Sequence, residues 1–181
     1  LLKRGAQVTI TDRKTPQELE GSIAQLAKPA QLSLGNHCRE DFLRSDFIIL
    51  SPGVPSDLPE LLEARTRNIP VYSEVELAYR FLKGRLIGVT GSNGKTTTAT
   101  LIGKIFETAG LDCVVAGNIG APLIQSLNPS TGSAPPSTTY VVELSSFQLE
   151  NIEQFRCDVA MILNVSPDHQ DRYRDFNDYL S

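Results

Sequence analysis

Val89-Thr90-Gly91-Ser92-Asn93-Gly94-Lys95-Thr96 joins the end of an apolar run to a glycine-rich loop, and a stretch with helical spacing follows. This order of strand, glycines, lysine and helix is the context of a phosphate-binding loop. The glycines let backbone N–H groups turn toward phosphate oxygens, and the helix N-terminus adds a partial positive charge. The stretch therefore predicts an α/β domain that is built around a phosphate site.

The side chains of this loop have expected contacts with a nucleotide. Lys95 would reach the terminal phosphates as a mobile point charge, and the Thr96 hydroxyl would hold Mg²⁺. The general pattern has a glycine six positions before the lysine, where this chain has Val89. A glycine-rich turn with an incidental lysine is the alternative, but we expect ATP to bind. The expected ATP-binding residues are Gly91, Ser92, Asn93, Gly94, Lys95, Thr96, Thr97 and Thr98.

Strand and helix patterns alternate along the chain, which predicts parallel sheets with helices packed against them. Strand patterns cover residues 7–11, 46–50, 68–72, 85–90, 112–116, 140–144 and 159–163. Residues 46–50 are nearly all apolar, so this strand is expected to be buried on both faces. The helix after the loop is expected to pack through Leu101, Ile102, Ile105, Phe106 and Ala109. The pattern restarts after Lys83-Gly84, which predicts one domain at residues 1–84 and a second at 85–181.

Composition excludes several classes of protein. The formal net charge is −4, so the chain has no basic surplus for a nucleic-acid backbone. No apolar run approaches the roughly 20 residues that span a bilayer, and no signal-peptide core is present. The three cysteines lie far apart without a CxxC pair, which indicates neither a disulfide framework nor a zinc cluster. We therefore expect a cytoplasmic protein without a polynucleotide or membrane partner.

Polar residues at the expected carboxyl ends of strands are candidate site residues, because open α/β sheets bind ligands there. Glu143 interrupts an apolar strand, and either a metal or catalytic role or a water-exposed strand end would explain it. Asn118 lies between two glycines, where a ligand site and a simple turn are equally compatible with the sequence. His169 follows the strand at 159–163. Weaker candidates of the same kind are Asp12, Arg13, Ser51, Pro52 and Gly53.

Together these segments resemble the Mur ligases, which use ATP to add amino acids to peptidoglycan precursors. The resemblance rests on Thr90-Gly91-Ser92-Asn93-Gly94-Lys95-Thr96, Gly117-Asn118-Ile119-Gly120, Glu143-Leu144-Ser145-Ser146-Phe147-Gln148-Leu149-Glu150, Asn164-Val165-Ser166-Pro167-Asp168-His169, Asp171-Arg172-Tyr173 and Ser51-Pro52-Gly53-Val54. It implies a truncated N-terminal Rossmann-like domain that binds a UDP-substrate, followed by a truncated central P-loop domain that binds ATP. Both are α/β domains, and the second has a parallel sheet.

The stretch 143–150 is similar to the branch of the family that joins D-glutamate to UDP-N-acetylmuramoyl-L-alanine through an acyl phosphate. The resemblance implies ATP and Mg²⁺ as cofactors and a monomeric enzyme. It places Lys95, Glu143 and His169 in catalysis. Thr96 and Glu143 would lie at one Mg²⁺ site, and His169 at a second site beside the substrate. The acceptor would meet Asn118 at its muramoyl-alanine end and Asp12, Arg13, Ser51, Pro52 and Gly53 at its UDP end.

The resemblance also implies parts that this stretch lacks. The first glycine-rich turn would precede Leu1, and a carbamylated lysine and an amino-acid-binding domain would follow Ser181. This chain alone is therefore not expected to turn over. A sibling ligase or folylpolyglutamate synthase would share the phosphate loop but not residues 143–148. The sequence is also compatible with a regulatory nucleotide-binding module and with an inactive truncated gene product.

Overall fold

The computed structural model describes residues 1–26, 30–127, 137–167 and 175–177. The chain is mixed α/β with parallel sheets, which confirms the predicted fold class. It forms two compact units. The first comprises the described residues of Leu1–Ile48 and Ser56–Pro70, and the second comprises Ile49–Pro55 and the described residues from Val71 onward. The predicted boundary at Lys83-Gly84 stays a prediction.

The first unit contains a two-stranded parallel sheet and short helices. Its elements are a 3-10 helix Leu2–Arg4, β1 (Thr9–Asp12), α1 (Glu20–Ile23), β2 (Gln31–Leu34), α2 (Arg39–Leu43) and α3 (Pro59–Thr66). Strand β1 begins two residues later than predicted and ends one residue later, at Asp12. The α2–α3 pair contains buried Phe42, Leu61 and Ala64, and an ion pair between Arg39 and Glu63 joins the two helices at the surface.

The second unit begins with a small sheet and a helix, and the first residue of this sheet, Ile48, is counted with the first unit. Strands β3 (Ile48–Leu50) and β4 (Val71–Ser73) pair, and α4 (Glu74–Tyr79) follows β4 directly. Only Leu50 of β3 is buried, so the expectation that this strand is buried on both faces was wrong. Among the described residues this sheet has only two strands, so neither strand is flanked on both sides. Ser73 caps α4 by accepting the Glu76 N–H.

A four-stranded parallel sheet forms the centre of the second unit, in the order β6-β7-β5-β8. The strands are β5 (Arg85–Thr90), β6 (Cys113–Gly117), β7 (Thr139–Glu143) and β8 (Val159–Ile162). The helices are α5 (Lys95–Thr108), α6 (Ser146–Leu149) and a 3-10 helix Leu123–Ser126. Every residue of β7 is buried, as expected for a central parallel strand. In the described residues, no helix combines the length and apolarity needed to cross a membrane.

Helix α5 packs on the sheet through only part of the predicted face. Ile102 is half-buried against the same core cluster as Ala99, and Phe106 is half-buried, but Ala109 is exposed. Ala99 is fully buried against Val89 and Val141, whereas Leu101 and Ile105 are 58% and 57% exposed. Gly103 explains the orientation, because a Cβ at this position would collide with the Val115 side chain. The glycine lets the helix backbone approach β6 closely, and this rotates Leu101 and Ile105 away from the sheet.

Candidate functional site

The phosphate loop occupies residues 91–94, between the end of β5 and the start of α5. Gly91 and Gly94 have φ angles of 135° and 85°, in the region that favours glycine. A Cβ on Gly91 would lie 2.9 Å from the carbonyl oxygen of Asn164. Both the backbone conformation and the close packing therefore require glycine at position 91.

Val89, where the general pattern has glycine, is fully buried in the core of the sheet. Strand β5 continues through Thr90, and the chain turns only at Gly91. The loop is consequently shorter than the general pattern at its N-terminal end. The departure at Val89 therefore extends the strand and leaves the turn itself intact.

Asn164 holds the loop from the segment after β8. Its carbonyl oxygen accepts the Ser92 N–H at 3.0 Å, and its side chain exchanges two hydrogen bonds of 2.9 Å with the Asn93 backbone. Ser92 Oγ donates to the Ser166 carbonyl at 3.0 Å and accepts the Ser166 N–H at 2.9 Å. In the sequence analysis, Asn164 appears only as part of a family motif, and its contact with the loop was not predicted. Its position just beyond a strand could have indicated that it lies near the loop.

Lys95 is the first residue of α5, and its ammonium group lies over the loop. Nζ donates to the carbonyl oxygens of Gly91 at 2.6 Å and Ser92 at 3.1 Å. Neither partner is a carboxylate, so the positive charge is not neutralised by these contacts. A phosphate bound in the loop would compete with the two carbonyls for the ammonium group, as the predicted role of Lys95 requires.

Glu143 ends β7 and is only 2% exposed, so its interpretation as a water-exposed strand end was wrong. Its Oε2 accepts the Thr96 hydroxyl at 2.8 Å, and its Oε1 accepts the Asn118 Nδ2–H at 3.0 Å. The backbone N–H of Asn118 also donates to the Glu143 carbonyl at 2.9 Å. The structure thus brings together three predicted site residues from α5, the loop after β6 and the end of β7.

The oxygen atoms of Glu143 and Thr96 are suitable ligands for a Mg²⁺ ion. Both hydrogen-bond donors to the carboxylate are neutral, and Glu143 forms no ion pair with the described residues. A buried carboxylate without a cation is costly, and carboxylate and hydroxyl oxygens are hard ligands of the kind Mg²⁺ prefers. The described residues contain no group of three His, Cys, Asp or Glu side chains that could hold a metal. A cation here would take its other ligands from phosphate oxygens and water.

The segment after Glu143 is fixed by a capping box at the start of α6. The Ser145 hydroxyl accepts the Gln148 N–H at 3.3 Å, and Gln148 Oε1 accepts the Ser145 N–H at 3.0 Å. Both side chains are buried. The polar residues of this stretch therefore stabilise the turn that carries the chain away from Glu143.

The other predicted residues have these surroundings. Asp12 ends β1 and its Oδ1 accepts the Lys14 N–H at 2.8 Å, with Arg13 exposed in the following bend. Ser51, Pro52 and Gly53 follow β3 in a turn that the Val54 N–H closes on the Ser51 carbonyl.

Thr97 and Thr98 occupy the first turn of α5. His169 lies outside the described residues. The ligand roles of all these residues stay predictions.

Two protein families match this chain. Residues 89–181 match the Mur ligase middle domain. Residues 1–73 match the family described as Mur ligase MurD-like, N-terminal domain.

Curated relatives agree with the family matches. The chain is 48% identical over 181 residues to a UDP-N-acetylmuramoylalanine–D-glutamate ligase of Geotalea daltonii, with 99% of this chain and 39% of that protein covered. It is 45% identical over 182 residues to the protein of the same name from Acidobacterium capsulatum, with 100% and 39% covered. The chain thus spans about two fifths of the length of these relatives.

Among solved structures, the fold is similar to that of UDP-N-acetylmuramate:L-alanyl-gamma-D-glutamyl-meso-diaminopimelate ligase from Neisseria meningitides. The TM-score is 0.54 at 21% identity, and the match covers 98% of this chain and 58% of that one. The two family matches, which together cover most of the chain, establish that this chain belongs to the Mur ligase family.

Proposed function

We propose that this chain supplies the UDP-substrate domain, residues 1–84, and the ATP-binding domain, residues 85–181, of a cytoplasmic ligase. The enzyme would use ATP to join D-glutamate to UDP-N-acetylmuramoyl-L-alanine in peptidoglycan synthesis. The main support is the buried Glu143 carboxylate. Its hydrogen bond from Thr96 joins it to the helix that follows the phosphate loop, and its hydrogen bond from Asn118 joins it to the loop after β6. The names of the 45–48% identical relatives supply the substrate class.

The reaction has to activate a carboxylate, which is a poor electrophile. The alanine carboxylate of the acceptor would attack the γ-phosphorus of ATP, forming an acyl phosphate and releasing ADP. The amine of D-glutamate would then attack the acyl carbon and give a tetrahedral intermediate. Its collapse would expel inorganic phosphate, the amine nitrogen would lose a proton, and an amide would remain.

Positioning and electrostatics would supply most of the catalysis, because the first step brings two anions together. Lys95 would stabilise the charge on the transferring phosphoryl group, and the N–H groups of the loop would bind the other phosphates. A Mg²⁺ ion held by Thr96 and Glu143 would screen the charge repulsion between the two anions. Asn118 would orient the acceptor end next to Glu143.

An isotope experiment tests this sequence of steps. With ¹⁸O in the alanine carboxylate, the proposal predicts that one ¹⁸O atom appears in each released phosphate, because the acceptor oxygen bonds to phosphorus and leaves with it. The protein should be expressed from its complete gene, and the phosphate analysed by mass spectrometry. A regulatory nucleotide-binding module would hydrolyse ATP with water and release unlabelled phosphate, which would refute the ligase proposal.

A further inference from the structure

Glu74 is a half-buried carboxylate that the proposed chemistry does not use. It is the first residue of α4, and its Oε1 accepts the Ile124 N–H at 2.5 Å. Burial raises the pKa of its carboxyl group, and the Ile124 N–H opposes that shift. This contact joins two segments that are 50 residues apart in the sequence.

The partner of Glu74 belongs to a packed element. Ile124 lies in the 3-10 helix Leu123–Ser126, and Leu123 is fully buried in one core cluster with Val75 and Ala78 of α4. The helix is therefore attached to α4 by apolar packing on one side and by the Glu74 carboxylate at its backbone.

The loop between β6 and this 3-10 helix carries Asn118. It is closed by the Gly117 N–H, which donates to the Ala121 carbonyl at 3.0 Å. A Cβ on Gly117 would collide with the Glu143 carbonyl, so the start of the loop lies directly on the end of β7. Glu143 thus holds the loop through Asn118 at one end, and Glu74 holds the following helix at the other.

We infer that Glu74 is a positioning residue for the acceptor, acting through the Ile124 N–H on the loop that places Asn118. It would raise acceptor affinity without touching any ligand. Helix α4 also follows β4, whose partner β3 leads to Ser51-Pro52-Gly53, the other segment expected to bind the acceptor. The inference rests on the proposed function, which assigns Asn118 to the acceptor.

Steady-state kinetics of Glu74→Ala, in the protein expressed from its complete gene, test this role. The variant leaves the Ile124 N–H without its acceptor, and we expect KM for UDP-N-acetylmuramoyl-L-alanine to rise about ten-fold. KM for ATP should change by less than about two-fold, because the phosphate loop is held separately by Asn164. Glu74→Gln keeps an oxygen acceptor and should restore most of the affinity. Glu107→Ala is the control, since Glu107 is exposed and pairs only with Lys104 among the described side chains.

Unchanged acceptor KM in Glu74→Ala would overturn the inference, and so would equal increases in both KM values, which indicate a general structural role. Hydrogen–deuterium exchange of residues 117–127 gives a second readout that does not depend on turnover. Exchange should be faster in Glu74→Ala and close to normal in Glu74→Gln, and unchanged protection in both would contradict the link. Failure of the unaltered protein to use D-glutamate would instead contradict the proposed function.

Discussion

Replacement of Lys95 by alanine is expected to lower the turnover rate of the complete enzyme by at least about 10²-fold, the loss typical of removing one preorganised electrostatic group. Lys95 is the only cationic residue among the expected ATP-binding residues 91–98, and its ammonium group lies over the loop at residues 91–94. Without it, the charge that develops on the transferring phosphoryl group loses its nearest positive partner. The rate should be measured at saturating ATP, acceptor and D-glutamate.

Two comparisons separate this effect from general damage to the fold. Lys104→Ala removes an exposed lysine of the same helix, paired with Glu107, and should retain normal turnover. Lys95→Arg should restore little activity, because the planar guanidinium group has a different shape and reach from an ammonium group. Normal turnover in Lys95→Ala, with thermal unfolding unchanged, would show that Lys95 does not act on the phosphates.

Replacement of Glu76 by alanine is expected to cause the largest loss of stability, about 3 kcal/mol or more. Glu76 is fully buried on α4, and its Oε2 accepts three consecutive backbone N–H groups at 2.8–2.9 Å. Its Oε1 accepts Arg80 Nε at 2.8 Å. The three N–H donors are those of Glu153, Gln154 and Phe155. Truncation would leave the three backbone N–H groups without their acceptor and would remove the partner of Arg80 Nε.

Burial raises the pKa of Glu76, but the three N–H groups and Arg80 outweigh it and hold the pKa below the ordinary value of 4.5. A carboxylate whose pKa is lower in the folded state stabilises the fold above the unfolded pKa and loses that contribution as pH falls through the folded pKa. The stability difference between the unaltered chain and Glu76→Gln should therefore be full at pH 7 and decrease progressively below about pH 4.5.

Urea unfolding of the 181-residue chain at pH 7 and at lower pH values measures this difference. Glu153→Ala is a suitable control, because its carboxylate is 58% exposed and contacts Arg80 at the surface. Exposed ion pairs of this kind contribute roughly 1 kcal/mol or less. A Glu76→Gln variant as stable as the unaltered chain at pH 7 would contradict the assigned role, as would a difference that does not depend on pH.

The centre of the second unit could be predicted from sequence because local signals agree there. Strand β5 has the predicted bounds, residues 85–90, and the glycine loop and α5 follow as expected. Glu143 was recognised as unusual because a charged residue interrupts an apolar strand. Its burial and its two partners could not be predicted, because Thr96 and Asn118 are 47 and 25 residues away in the sequence.

The orientation of helix α5, the short helices and strands, and the long-range hydrogen bonds depend on tertiary packing, which the spacing of apolar residues in the sequence does not show. Ile102 packs on the sheet as predicted, but Leu101 and Ile105 do not, because Gly103 and Val115 determine how closely the helix approaches the sheet. Strand β2 and helices α1 and α2 are four or five residues long, too short to show a clear period. The carboxylates of Glu74 and Glu76 accept backbone N–H groups 50 and 77–79 residues away, which no local pattern reports.

We propose that the site at Glu143 and Lys95 serves an amide-forming ligase specific for D-glutamate. The most direct test is phosphate release from ATP by the complete protein with Mg²⁺ and UDP-N-acetylmuramoyl-L-alanine, comparing D-glutamate with L-glutamate, L-lysine and no amino acid. We predict sustained release only with D-glutamate. Release at the same rate without any amino acid, or with L-lysine in place of D-glutamate, would contradict the account.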